Sequence, residues 1–146
     1  MTRERRLKTA AVLLAVAAIL GYLRDPAWIG GVTSGMRPWE QDLPGTLFRW
    51  TMGRATFYVP SNATLMTLPL RSVFPGPNGS PVRVDVRDDG RLVATVDLAE
   101  PDAWVRQTVP LTRYTGTRRF RRIDLHVSRV LPPYDFGVIT GEVSVR

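Results

Sequence analysis

The sequence predicts an all-β fold: an antiparallel β-sandwich, jelly-roll-like, with about eight strands, preceded by one N-terminal transmembrane helix. Three features point to it. An uncharged apolar run follows a basic N-terminus, apolar and polar residues then alternate with period two, and no amphipathic helical pattern of useful length follows residue 30. The chain therefore divides into a membrane segment and one small β domain.

The N-terminal segment has the pattern of a membrane anchor. Four basic residues outnumber one acid within 1–8, and fifteen uncharged residues follow at 9–23. As a helix this run covers roughly 22 Å, and adding Leu7 with a snorkelling Lys8 extends it to about 26 Å, against a hydrocarbon core of ~30 Å. The basic excess predicts a cytoplasmic N-terminus. Bulky or charged residues after Leu23 favour an uncleaved anchor, with a cleaved signal peptide as the alternative.

We expect four segments along the chain. They are a cytoplasmic basic head at 1–8, a transmembrane signal anchor at 9–25, a juxtamembrane linker at 26–45 and an extracytoplasmic β-sandwich at 46–146. The linker assignment depends on many Gly and Pro residues without a sustained period. Nineteen arginines against the single Lys8 suggest a GC-rich bacterial genome. The predicted location is therefore the bacterial inner membrane, single-pass, with the domain in the periplasm.

The clearest strand signal is a hairpin between residues 82 and 98. Val82, Val84 and Val86 alternate with charged residues, the chain turns at Asp89-Gly90, and alternation resumes. Asp-Gly supplies the positive φ values that a tight hairpin turn needs. Pro69 interrupts another strand pattern and predicts an edge position or a bulge there. The remaining strand-like runs are 46–51, 55–59, 64–71, 104–111, 122–129 and 137–145.

Several short motifs occur between residues 39 and 91. They are Trp39-Glu40, Phe48-Arg49-Trp50-Thr51, Ala55-Thr56-Phe57-Tyr58-Val59, Pro81-Val82-Arg83-Val84 and Asp89-Gly90-Arg91. With them, residues 36–146 resemble jelly-roll domains, similar to carbohydrate-binding modules, that are attached to or found beside bacterial membrane glycosyltransferases. The resemblance implies a jelly roll and points to Glu40, Arg49 and Trp50, although no enzyme domain is attached in this chain.

Four residues are the candidate ligand contacts: Trp39, Glu40, Arg49 and Trp104. A sugar platform needs an exposed aromatic ring for the apolar face of a pyranose, with polar groups beside it. Trp39 lies next to Glu40 outside the strand pattern, which suits such a platform, although Trp39 packing onto the sandwich is the alternative. Alternation predicts Trp50 in the core and Arg49 on the outward face. Trp104 either contacts ligand or caps the core.

The densest charge cluster is Arg118-Arg119-Phe120-Arg121-Arg122. Guanidinium groups pair with phosphate in a bidentate geometry, so Arg118, Arg119, Arg121 and Arg122 are candidates for contact with an anionic surface, such as lipid headgroups or an anionic glycan. The alternative is a solvated loop and strand edge, where basic residues discourage edge-to-edge pairing.

The chain shows few signs of catalysis. It has no cysteine, one histidine, and no G-x-S-x-G, P-loop or His-rich metal spacing. Asp135 and Glu142 are the candidate acid pair for glycosidase chemistry. We expect no enzyme activity, cofactor or metal. The predicted role is a glycan-binding or glycan-assembly accessory module of the bacterial envelope, and the alternative is a protein-interaction subunit of a membrane complex. Expected partners are the inner-membrane bilayer and an envelope glycan or a membrane glycosyltransferase subunit, with no nucleic acid.

Overall fold

The computed structural model describes residues 3–43 and 45–146, and the side chains of residues 3 and 77 lie outside that description. It begins with α1, Arg3–Arg24, followed by a 3₁₀ turn at Ala27–Gly31. The helix is exposed along its length from Glu4 onward, and it is long and apolar enough to cross a membrane by length and composition. Its large apolar side chains, among them Leu13, Ile19 and Leu23, are exposed.

The described residues after the helix form ten strands and a second 3₁₀ turn at Pro77–Gly79. The strands are β1 Ser34–Met36, β2 Glu40–Gln41, β3 Leu47–Pro60, β4 Leu65–Arg71, β5 Val82–Asp88, β6 Arg91–Leu98, β7 Val105–Pro110, β8 Phe120–Val127, β9 Ile139–Thr140 and β10 Ser144–Val145.

The strands form one antiparallel sheet in the order β10-β4-β9-β3-β8-β5-β6, with β1 and β2 added to β3 and β7 added to β4. The fourteen-residue β3 belongs to both layers of the resulting sandwich. Its second half pairs with β8 from Arg54 to Pro60, and its first half pairs with β9 at Arg49 and Trp50. The predicted all-β sandwich with one N-terminal apolar helix is therefore confirmed.

Alternating apolar residues of both layers fill the core. Three strands supply most of the fully buried side chains, and in each the polar residues between them face outward. Their core members are Met66, Leu68 and Leu70 of β4, Val82, Val84 and Val86 of β5, and Ile123 and Leu125 of β8. Burying an aliphatic side chain of this size stabilises the fold by roughly 1.5–3 kcal/mol. The layers are therefore held by a continuous apolar interior without disulfides.

The predicted hairpin is present. Val82 pairs with Leu98 and Asp88 pairs with Arg91, leaving Asp89 and Gly90 as the two-residue turn. Their φ angles are 46° and 88°, as a tight primed turn requires. Gly90 adopts its φ without the strain that a side chain would cause.

Other elements differ from the sequence pattern. The runs 46–51 and 55–59 form the single strand β3. The segment 26–45, expected as a linker, instead contributes β1 and β2, which both pair with β3. Short, irregular strands of this kind carry no alternation that a sequence pattern could show.

Pro69 lies in a central strand, not at an edge, because β4 pairs with β7 on one side and with β9 and β10 on the other. The Pro69 carbonyl accepts a hydrogen bond from the hydroxyl of Thr140, the last residue of β9, and another from the backbone N–H of Gly141, both at 3.1 Å. The missing N–H therefore faces the interruption between two short strands, where it costs little.

The junction between α1 and the sandwich is short and packed. The Asp25 carboxylate accepts hydrogen bonds from the backbone N–H of Arg119 at 3.0 and 3.1 Å, and Pro26 is buried. Gly30 lies so close to Phe120 that an added Cβ would be 2.5 Å from a ring carbon. The end of the helix is thus attached directly to the sandwich.

Arg121 was expected on the surface with its neighbours, and the structure corrects that prediction. Only 2% of the residue is exposed, and its guanidinium donates to Asp88 Oδ2 at 2.8 Å. It also donates to three backbone carbonyls at 2.7 Å, those of Ser61, Ala63 and Thr112. Since β8 alternates, Arg121 shares the inward face with Ile123 and Leu125. Arg121 therefore cannot contact an anionic surface.

Candidate functional site

An open groove lies on the outer face of the layer that contains β4 and β7. We call it the Trp104 groove; its volume is about 650 Å³. It is bordered by one large aromatic ring, a guanidinium, a carboxylate and several hydroxyls. The lining residues are Gly45, Thr46, Leu47, Thr67, Pro69, Trp104, Arg106, Gly141, Glu142, Val143 and Ser144. This combination of groups suits a polar ligand with one apolar face.

The strand register explains why these side chains meet. Pro69 pairs with Arg106, and Thr67 pairs with both Thr108 and Ser144. Directly paired residues share a face of the sheet. Because Met66, Leu68 and Leu70 fill the core, the alternate positions of β4 and their partners face outward. The floor of the groove is therefore a rigid sheet surface and not a loop.

Trp104 closes one end of the Trp104 groove. The ring carbon Cη2 lies 3.7 Å from the position that a Cβ on Gly141 would occupy, so Gly141 leaves room for the indole. The Arg71 guanidinium carbon lies 5.0 Å from the centroid of the Trp104 ring and 5.9 Å from that of Phe48. These contacts orient a half-buried ring at the groove wall.

Trp39 lies in a neighbouring, smaller cavity of about 270 Å³, which we call the Trp39 cavity. The Trp39 side chain is 46% exposed, and the Arg49 guanidinium carbon lies 4.5 Å from its ring centroid. Glu142 and Val143 line both the Trp39 cavity and the Trp104 groove. The two spaces are thus adjacent, with the segment between β9 and β10 as their common wall.

Arg49 does not face outward as alternation suggested. It pairs with Thr140, which also pairs with the fully buried Leu70, so the three share the interior face of the layer. The chain bends as β3 passes from one layer to the other, and this bend changes which positions face the core. Desolvation by burial lowers the pKa of the Arg49 guanidinium. Its Nε is buried without a hydrogen-bond partner among the described residues.

Trp50 shares the opposite face with Ile139 and Arg71. It is half-buried and packs at the edge of the core, with its ring centroid 4.8 Å from that of Phe136. The guanidinium of Arg37 lies 5.1 Å from the centroid of the Phe136 ring. Trp50 is therefore a packing residue under an outer aromatic layer rather than a fully interior one.

Glu40 lies in β2, is exposed, and pairs with Phe48 of β3. It is next to Trp39 in the chain but does not line the Trp39 cavity or the Trp104 groove. The structure thus brings Trp39, Arg49 and Trp104 to adjoining spaces and leaves Glu40 outside them. Glu142 supplies the carboxylate there instead.

Sequence reasoning did not connect Arg106 and Thr67 with a ligand site. Each stands at an outward position of a predicted strand, but the sequence does not show that β4 and β7 pair. Charge and alternation alone do not distinguish one outward-facing strand residue from another as a candidate ligand contact. The pairing that distinguishes these two is a long-range property of the fold.

Three arginines of the basic run behave differently from Arg121. Arg118, Arg119 and Arg122 are exposed. Arg118 and Arg122 line a pocket of about 290 Å³ beside the end of α1. Arg119 Nε lies 3.5 Å from Asp25, and Arg122 Nε donates to Asp124 at 3.0 Å.

No cluster of three or more His, Asp or Glu side chains able to hold a metal ion occurs within residues 3–43 and 45–146. Asp135 lies away from Glu142, in a different surface depression beside Met52 and Arg54. The two acids named from the sequence as the candidate glycosidase pair thus line different pockets.

Comparison with known proteins finds similarity to solved structures only. No family model matches the chain, and no curated protein matches it. A family 35 carbohydrate-binding module from an environmental isolate is 17% identical with a TM-score of 0.47, covering 84% of this chain and 90% of that one. A CBM36-1 domain of a xylanase from the hindgut metagenome of Trinervitermes trinervoides is 12% identical with a TM-score of 0.39, covering 77% and 89%.

A further structure contains CBM51-2 with GlcNAc and the INT domains of Clostridium perfringens ZmpB. It is 14% identical with a TM-score of 0.47, and the match covers 79% of this chain. This chain spans about 29% of the length of that structure.

Proposed function

We propose that the protein is a membrane-tethered, non-catalytic glycan-binding accessory module of the bacterial envelope. The observation that carries the proposal is the Trp104 groove, in which one aromatic ring borders a carboxylate, a guanidinium and hydroxyls on a rigid sheet face. The C–H face of a pyranose stacks on an indole, and its hydroxyls both donate and accept hydrogen bonds. Glu142 accepts such bonds, and Arg106 donates them.

The Trp39 cavity extends the proposed site. Because it shares Glu142 with the Trp104 groove, a glycan of more than one residue would cross from Trp104 to Trp39 over that carboxylate. Arg49 stacks on Trp39 and keeps the ring in place. Trp39 and Trp104 are therefore assigned as aromatic contacts, and Arg49 as the residue that positions Trp39.

The tether is part of the proposal. The helix α1 places an exposed apolar surface beside the sandwich, and its basic N-terminus favours a cytoplasmic location. With α1 in the inner membrane, the sandwich lies in the periplasm. The partners proposed are the bilayer, an envelope glycan and a membrane glycosyltransferase subunit that acts on it.

A second candidate function is docking to a larger subunit of a membrane complex. Three exposed apolar side chains favour it: Leu43 at 101%, Leu47 at 51% and Trp39 at 46%. They lie in and beside the β2–β3 hairpin, where Leu47 lines the Trp104 groove and Trp39 lines the Trp39 cavity. Exposed apolar residues clustered beside a groove are typical of interaction sites.

A glycan array probed with the full-length protein in detergent tests the first proposal. We expect Trp104→Ala to weaken binding at least about tenfold, equivalent to ~1.4 kcal/mol, and Glu142→Gln to weaken it as well. Trp39→Ala should weaken the binding of longer glycans more than that of monosaccharides. The melting temperature of each variant should stay within a few degrees of the wild type, since these side chains are at least partly exposed.

The matched control is Trp28→Ala, which removes a 59% exposed tryptophan of the 3₁₀ turn, outside both spaces. It should bind glycans as the wild type does. If no glycan binds, or if Trp28→Ala and Trp104→Ala lose binding equally, the sugar site is wrong. Crosslinking from residue 39 in intact membranes should then capture a neighbouring subunit.

A further inference from the structure

The pocket beside the end of α1 shares no lining residue with the Trp104 groove. Its volume is about 290 Å³. Three arginines, two aspartates and three apolar or aromatic side chains surround it: Arg24, Arg118, Arg122, Asp25, Asp89, Ile29, Tyr58 and Phe120. We call it the junction pocket, because the helix, the 3₁₀ turn and the sandwich all contribute to it.

The position of the junction pocket relative to a bilayer follows from the sequence. Arg24 is the first charged residue after the apolar run and the last residue of α1. Once α1 spans the membrane, as proposed above, Arg24 lies at the level of the outer headgroups. The Asp25–Arg119 hydrogen bonds hold the sandwich against this point. The pocket therefore opens at the depth where lipid phosphates lie.

The charges of the junction pocket favour an anion. Three guanidinium groups face two carboxylates, and each carboxylate is already engaged by a backbone N–H. Asp25 accepts from the Arg119 N–H at 3.0 Å, and Asp89 Oδ1 accepts from the Arg122 N–H at 3.0 Å. The nearby Asp124 is paired with Arg122, and Arg119 is paired with Asp25. These bonds reduce the repulsion that the acids exert on a phosphate.

We propose that the junction pocket binds the phosphate of an anionic phospholipid headgroup through Arg24, Arg118 and Arg122. Guanidinium and phosphate form bidentate, charge-assisted hydrogen bonds. Ile29 and Phe120 line the same pocket and suit the glycerol and upper acyl region. Trp28, 59% exposed next to it, suits the membrane interface. Arg121 takes no part, because it is buried.

Lipid titration of the full-length protein, followed by native mass spectrometry from detergent, tests this assignment. The probes are phosphatidylglycerol and phosphatidylcholine with the same acyl chains. We expect the wild type to prefer phosphatidylglycerol, and Arg118→Gln with Arg122→Gln to lower its affinity about tenfold. A third arm adds soluble sn-glycerol-1-phosphate, which should not displace the lipid at millimolar concentration.

The matched control is Arg54→Gln with Arg83→Gln. Both residues are exposed, and Arg83 is paired with Asp97 at 3.0 Å, just as Arg122 is with Asp124. Arg54 is six residues from the membrane-proximal end of β3, about 20 Å along the strand. The control pair should change the affinity by less than about twofold, because surface charges more than a Debye length away are largely screened.

Each failure has a separate meaning. Equal loss in both double variants, or equal binding of both lipids, overturns the headgroup site. Displacement by glycerol phosphate overturns the assignment to lipid in favour of a soluble phosphate. Release of the full-length protein from membranes by a carbonate wash overturns the tether, and the headgroup site with it. If the wild type stays in the membrane but shows no preference for phosphatidylglycerol, the headgroup site alone is overturned.

Discussion

Replacing Arg121 with Met should strongly destabilise the sandwich. The substitution removes a guanidinium that is 2% exposed and leaves the Asp88 carboxylate, 5% exposed, without its cation. It also removes the donors to the carbonyls of Ser61, Ala63 and Thr112. Those three carbonyls belong to the loops around β4 and β8, so the substitution also frees the loops from each other.

The magnitude follows from this geometry. Breaking a buried ion pair by removing one partner costs about 3–5 kcal/mol, because the other charge stays buried. Met fills part of the volume left by the arginine stem, which limits any cavity cost. For a domain of this size each kcal/mol lowers the melting temperature by roughly 3 °C, so a fall of about 10–15 °C is expected.

The assay is thermal unfolding of the full-length protein in detergent, followed by circular dichroism in the β-sheet region. The matched control is Arg122→Met, at the next position of the same strand. That side chain is half-exposed, and its ion pair with Asp124 is a surface one, worth about 0–1 kcal/mol. The control should therefore melt within about 3 °C of the wild type.

The double variant Asp88→Leu with Arg121→Met separates charge from packing. Removing both charges should recover at least about half of the lost stability, since no uncompensated ion remains. If Arg121→Met and Arg122→Met have the same melting temperature, the buried ion pair does not form and Arg121 is a surface residue like its basic neighbours. If the double variant is as unstable as Arg121→Met, the carbonyl contacts rather than the charge pair hold the loops.

Two further predictions concern the turn and the topology. Gly90→Val should lower the free energy of unfolding by about 1–2 kcal/mol, because Gly90 has a φ of 88° that a β-branched residue adopts only with strain. The neighbouring substitution Arg91→Val should not have this effect. An unchanged melting temperature in Gly90→Val would contradict the assigned turn. A reporter that is active only outside the cytoplasm, fused after Arg146, should be active while the protein stays full length in the membrane fraction. Replacing the four basic residues Arg3, Arg5, Arg6 and Lys8 with neutral ones should scramble the orientation of the protein in the membrane. A shortened, soluble product would instead show a cleaved signal peptide.

The parts of the fold that depend on local pattern could be predicted from the sequence. The hairpin at residues 82–98 and the strand β4 follow from period-two alternation and from a turn dipeptide with one favoured geometry. The strands β1 and β2 could not be predicted, because they are too short to alternate and exist only through pairing with β3.

The candidate site depends more on long-range structure. Alternation placed Arg49 outward, but β3 passes from one layer to the other, and its pairing with Thr140 turns Arg49 toward the interior. Arg121 looked like its three basic neighbours, but the alternation of β8 turns it inward, and Asp88 of β5 supplies the carboxylate that pairs with its buried charge. In both cases the environment of an arginine depends on strands far away in sequence.

The packed junction after α1 determines how the protein can search for a ligand. With Asp25 bonded to Arg119 and Pro26 buried, no flexible linker separates the sandwich from the helix. A protein on a flexible linker explores a volume that grows with linker length. With α1 in a membrane, as proposed, this sandwich would move only in the plane in which the helix diffuses, at one height and with one orientation. Under the proposed topology, such a protein would be suited to ligands and partners that are themselves held at the membrane.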